Sequence, residues 1–201
     1  MRYSYLALGD SYTIGEQVSL SQSFPYQTVQ LLRKAGFSFY APEIVAKTGW
    51  TTDELNIAIE ERVLLSSYDF VTILIGVNNQ YQGRAADEFR IHFRVLLEQA
   101  IKKAGEITKH VIVLSIPDWG ITPFAVEKSP EKIRSEIDTF NFICQAEAEH
   151  FQTRFLDITS IQRLDGNKDD FLAPDKLHPS GMEYFKWSVQ LANLISIGLE
   201  R

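Results

Sequence analysis

The feature that most constrains this chain is an alternation of short, continuous apolar runs with longer amphipathic segments. Tyr3–Leu8, Asp69–Ile75 and His110–Ile116 are compact runs, closed by Gly9, Gly76 and Pro117 respectively. Runs of this length with no polar alternation read as strands buried on both faces. Between them lie stretches with helical spacing: Phe24–Ala35, Thr52–Ser66, Ala85–Lys103, Pro130–His150 and Gly181–Leu199. In Ala85–Lys103 the apolar residues Phe89, Phe93, Leu96, Leu97 and Ala100 recur at offsets of three and four, which puts them on one helix face. Glu43–Ala46 and Arg154–Ile158 add two weaker strand candidates.

Buried strands that alternate with helices predict a parallel sheet covered on both faces, with right-handed crossovers. The expected fold is a three-layer α/β/α sandwich, flavodoxin-like, around about five parallel strands. At 201 residues, with 45% hydrophobic side chains and no internal repeat or linker, the expectation is one domain over 1–201. In such sheets ligands bind beyond the carboxyl ends of the strands, so the chemistry should come from the residues that follow each strand.

Those residues are informative. Gly9-Asp10-Ser11 follows the first strand, Thr48-Gly49-Trp50 the second and Gly76-Val77-Asn78-Asn79 the third. Asp175-Lys176-Leu177-His178-Pro179 comes just before the last helix. A hydroxyl, amide donors, an imidazole and a carboxylate are thus sent to one edge, which is the complement an acyl-transfer site requires. Taken singly each is ordinary: a turn, a loop glycine, a cap asparagine, a histidine at a helix start. The Asp-x-x-His spacing lets a carboxylate reach the ring Nδ1–H and leave Nε2 free as a base.

With these blocks the chain resembles the SGNH hydrolase superfamily, also called the GDSL lipase/acylhydrolase family. Leu8-Gly9-Asp10-Ser11-Tyr12-Thr13 matches its first block, Gly49 the second, Gly76-Val77-Asn78-Asn79 the third and Asp175-Lys176-Leu177-His178 the last. The resemblance implies Ser11 as nucleophile, His178 as base and Asp175 as its orienting carboxylate. It implies an oxyanion hole from the Ser11 N–H, the Gly49 N–H and the Asn78 side-chain amide. The chain departs from the pattern at Asn79, where the family usually has Asp, and Asp10 is read as structural. The activity implied is hydrolysis of a small-molecule carboxylic ester without cofactor or metal. A lysophospholipase or thioesterase with a long acyl channel, or a catalytically idle ligand-binding member of the fold, is the alternative.

Trp50, Gln80, Tyr81, Trp119 and Phe124 fall on loops beside the candidate catalytic ones, with Trp50, Tyr81 and Trp119 as the expected substrate contacts. No long apolar lid is evident, which favours short acyl groups. A net charge of −6 and a pI near 5.3 argue against a nucleic-acid partner. His92, His110 and His150 have no second ligand at metal spacing. The single cysteine, Cys144, precludes an intrachain disulfide and reads as a core residue. With no signal-peptide pattern and no apolar run of spanning length, the expectation is a cytoplasmic monomer or weak dimer without a membrane span.

Overall fold

The computed structural model describes residues 2–199. Along the chain run β1 (Tyr5–Gly9), α1 (Ser11–Ile14), α2 (Phe24–Lys34), β2 (Glu43–Ala46), α3 (Thr52–Glu61) and β3 (Phe70–Leu74). Then follow α4 (Val77–Tyr81), α5 (Ala86–Lys103), β4 (Val111–Leu114), α6 (Pro130–His150), β5 (Arg154–Leu156), α7 (Thr159–Asp165) and α8 (Gly181–Leu199). The five strands form one sheet in the order β2-β1-β3-β4-β5, and every neighbouring pair is parallel.

Burial explains which strands the sequence announces. Every residue of β1, β3 and β4 is buried, so each must be apolar on both sides. The edge strands β2 and β5 are partly exposed and tolerate Glu43 and Arg154. Their mixed composition follows from covering only one flank. Helix α2 packs against α8, while α3, α5 and α6 pack in succession. Because β1 steps one way to β2 and the later strands step the other way, right-handed crossovers place these two groups on opposite faces. Leu32 of α2, Leu191 and Ile195 of α8, and Phe89, Phe93 and Leu97 of α5 fill the two interlayers and are fully buried.

Three expectations need correction. Gln80 and Tyr81, expected on a loop, lie in the short helix α4 that opens directly after Gly76. The helix read over Thr52–Ser66 stops at Glu61, with Arg62 already extended. Val63 and Leu65 look like a continuing apolar face but are exposed, because the Leu65 N–H is captured by the Tyr68 hydroxyl, which itself donates to Glu43 at 2.6 Å. Helix α7, absent from the sequence reading, is a seven-residue element without a side-chain cap, too short to establish a period.

Candidate active site

The chain adds β2 on one side of β1 and β3 on the other, and this reversal of strand order opens a crevice at the carboxyl ends of β1 and β3, the expected ligand position in such a sheet. Two glycines shape it. A Cβ on Gly9 would lie 2.1 Å from Thr13 Oγ1 and 2.4 Å from the Leu74 carbonyl, so only glycine lets β1 turn this tightly into α1. At Gly76 the backbone has φ +129°, and a Cβ would meet Ile116 Cδ1 at 2.6 Å and Phe89 Cε2 at 2.8 Å.

Ser11 opens α1 and is 5% exposed. Asp10 caps that helix: its carboxylate accepts from the Tyr12 N–H at 3.0 Å. Burial pushes the Asp10 carboxyl up to about 7, partly offset by the backbone N–H groups of Tyr12 and of Asp10 itself.

His178 reaches Ser11 across 167 residues, with Nε2 3.0 Å from Ser11 Oγ. Its Nδ1 lies 2.6 Å from Asp175 Oδ2. With Nδ1–H given to the carboxylate, Nε2 is the acceptor for the serine hydroxyl. The other carboxylate oxygen of Asp175 accepts the backbone N–H of Leu177 at 3.1 Å and of His178 at 3.0 Å. One side chain thereby fixes the turn and the ring together, and Lys176 adopts left-handed backbone (φ +58°) to allow it. Burial raises the Asp175 carboxyl, but the hydrogen bonds from the His178 ring and from the two backbone N–H groups outweigh it, and the group stays below the usual carboxylate range. The Tyr12 ring packs on the imidazole with centroids 5.4 Å apart.

Ser11, Gly49 and Asn78 line the same crevice. The Ser11 N–H begins α1 and the Gly49 N–H follows β2, and neither has an acceptor among the described residues. Thr48, next to Gly49, donates to Glu16 at 2.5 Å and ties that loop to the segment after α1. The Asn78 amide donates to the Trp50 carbonyl at 2.9 Å. An amide nitrogen carries two hydrogens, so this bond orients the group and leaves the second free.

The departure at Asn79 has a structural account. Asn79 is fully buried; its Oδ1 accepts the Thr52 N–H at 3.1 Å and its Nδ2 donates to Thr52 Oγ1 at 2.9 Å. It clamps the start of α3, and the Thr52 hydroxyl is the acceptor an amide needs here.

A cavity of about 220 Å³ adjoins Ser11, Gly49, Asn78 and His178, and its apolar lining comes from Tyr12, Val77, Tyr81, Trp119, Phe124 and Leu177. Of the expected substrate contacts, Tyr81 and Trp119 line it, as does Phe124, and Trp50 does not. The half-buried Trp50 ring packs against the core, and its carbonyl, through Asn78, is what bears on the site. Sequence reading missed Tyr12, Val77 and Leu177; adjacency to Ser11, Asn78 and His178 was the available signal.

The wall bearing Trp119 rests on a buried carboxylate paired with a partly exposed arginine. Asp118 is fully buried, accepts Arg163 Nε at 2.8 Å and the Gly120 N–H at 2.9 Å, and gives its own N–H to Gln162 Oε1 at 2.8 Å. Arg163 and Gln162 belong to α7, so that helix carries the anchor for the wall.

Among the described residues no group of three or more His, Cys, Asp or Glu could hold a metal ion, and no helix is long and apolar enough to cross a membrane. Cys144 is buried in the core, and burial pushes its thiol up.

Comparison with known proteins agrees with this architecture. A lipase/acylhydrolase from Enterococcus faecalis superposes with TM-score 0.75 at 21% identity, covering 97% of this chain and 95% of that one. An acetyl xylan esterase from Geobacillus stearothermophilus gives TM-score 0.73 at 22% identity, over 96% and 94%. The psychrotrophic esterase EstA from a Pseudoalteromonas species gives 0.74 at 12% identity, over 99% and 100%. No curated protein sequence matches the chain significantly. The family model of the GDSL-like lipases and acylhydrolases matches residues 7–182. With that match over most of its length, the chain belongs to the GDSL-like lipase/acylhydrolase family of carboxylic ester hydrolases.

Proposed function

We propose that the protein hydrolyses small-molecule carboxylic esters of short acyl groups through a covalent acyl-enzyme on Ser11. The observation that carries this reading is the hydrogen-bonded series Ser11 Oγ, His178, Asp175, with separations of 3.0 and 2.6 Å. Ser11 Oγ attacks the ester carbonyl carbon while His178 Nε2 takes its proton. Negative charge moves onto the carbonyl oxygen, which the N–H groups of Ser11 and Gly49 and the free hydrogen of the Asn78 amide receive. The tetrahedral adduct collapses, and the alcohol leaves with the proton from His178. Water then attacks the acyl-enzyme by the same steps and restores Ser11. Asp175 holds the ring tautomer and offsets the charge of the imidazolium.

The apolar cavity beside the nucleophile supports a short acyl group. At about 220 Å³ it is smaller than the roughly 300–1,000 Å³ of pockets that enclose drug-sized ligands. Labelling with a fluorophosphonate probe tests the reading. Wild type is expected to be captured covalently and Ser11→Ala is not; equal labelling of both, or of neither, would remove Ser11 from the chemistry.

A further inference from the structure

The cavity has a wall whose position is set from outside the cavity, by Gln80. Gln80 is a buried residue of α4 that does not itself line the space. Its Oε1 accepts the indole N–H of Trp119 at 2.7 Å, and its Nε2 donates to Glu136 Oε2 on α6, also at 2.7 Å. Lys132 lies 3.7 Å from the other carboxylate oxygen of Glu136. Trp119 is thus tied, through one amide, to a charged pair on a long helix behind it. The Tyr81 ring meets the indole edge-on at 5.4 Å, closing the same wall from the front.

Successive residues of α4 divide the work. Asn78 is oriented by Trp50, Asn79 grips Thr52, and Gln80 grips Trp119. A single short helix therefore places both the candidate oxyanion donor and the anchor of the acyl wall.

We infer that Gln80 is a positioning residue that sets acyl-chain selectivity, holding Trp119 across the cavity so that long acyl chains are excluded. The inference rests on the ester-hydrolase reading above. Without the Gln80 amide, the indole N–H would be buried without an acceptor, a costly state that favours a shift of the ring and opens the space behind it. Gln80→Glu keeps an acceptor for the indole but turns a carboxylate towards Glu136. Adding Glu136→Gln supplies the missing donor from the other side, so the exchanged pair restores the connection with reversed polarity.

The test uses p-nitrophenyl acetate, butyrate and octanoate with wild type, Gln80→Ala, Gln80→Glu and Gln80→Glu/Glu136→Gln, together with hydrogen exchange of the indole N–H resonances. For Gln80→Ala the octanoate-to-acetate ratio of kcat/KM is expected to rise roughly 10-fold, mainly through KM for octanoate. The Trp119 indole proton is expected to exchange faster. Gln80→Glu should move in the same direction, and the double variant should return towards wild type in both readouts. A merely structural Gln80 would lower turnover of all three esters together and leave their ratio unchanged. Wild-type ratio and wild-type exchange in Gln80→Ala, with the wild type active, would overturn this inference alone. A wild type inactive on every ester would instead overturn the hydrolase reading. Should Gln80→Ala fail to fold, rescue or its absence in the exchanged pair decides the matter.

Discussion

Asn78 shows how much of the site depends on one side chain being aimed. Its amide donates one hydrogen to the Trp50 carbonyl at 2.9 Å, and that bond fixes where the other points. A donor held before the reaction begins needs no reorientation as charge builds on the substrate oxygen. Asn78→Ala should therefore lower kcat about 10²–10³-fold, with KM much less affected, which steady-state kinetics on p-nitrophenyl acetate would check. Retention of near-normal turnover would place the oxyanion elsewhere. Residues this close to a strand exit could be read from sequence because the fold decides where a strand exit lies. Gln80, Glu136 and Trp119 could not be read together: their contacts span 39 and 56 residues, and no local pattern encodes them.

The elements differ in how strongly they are specified. The strand-to-helix turn at Gly76 admits no side chain, since a Cβ there meets Ile116 and Phe89 at under 3 Å and the backbone is in positive φ. Gly36 also has positive φ, at +96°, but nothing lies within 4 Å of its Cβ direction. Gly76→Ala should cost about 2–5 kcal/mol, from overpacking plus backbone strain, and Gly36→Ala only the strain, on the order of 1 kcal/mol. Urea denaturation of the two variants measures the difference; equal losses would mean that the packing around Gly76 yields freely. The legibility of the elements follows the same physics. Strands β1, β3 and β4, buried on both faces, read as near-continuous apolar runs, broken within β3 only by Thr72, whose hydroxyl meets that of Tyr5. The sequence pattern runs five residues past the end of helix α3 because Val63 and Leu65 extend its apolar face, whereas the Leu65 N–H goes to the Tyr68 hydroxyl, which Glu43 holds from 25 residues away. Helix α7 was invisible because its worth lies in Gln162 and Arg163 meeting Asp118, an arrangement of tertiary packing.

For the whole molecule, the response of stability to pH carries the signature of the site. The buried carboxyl of Asp10 titrates at about 7 in the folded protein, against roughly 3.9 in an unfolded chain. Between those values the unfolded state has released a proton that the native state still holds, so stability falls as pH rises, and the loss levels off above about 7. Asp175 runs the other way: its depressed carboxyl contributes stability at neutral pH that disappears as acid protonates it. Asp10→Asn cannot ionise but keeps an oxygen for the Tyr12 N–H. Its stability relative to wild type should therefore climb between pH 4 and 7, by at most about 1.4 kcal/mol per pH unit, and stay flat above. Urea midpoints at several pH values would reveal this; a difference independent of pH would show that Asp10 ionises as freely in the fold as outside it. Asn79 belongs in the same electrical picture. The chain already carries a net charge of −6, and its proposed chemistry gathers one more negative charge in the crevice for an instant. A carboxylate behind Asn78 would oppose that moment with a standing charge of the same sign. The amide grips Thr52 with both its atoms and itself adds no charge behind Asn78, in acid or in alkali.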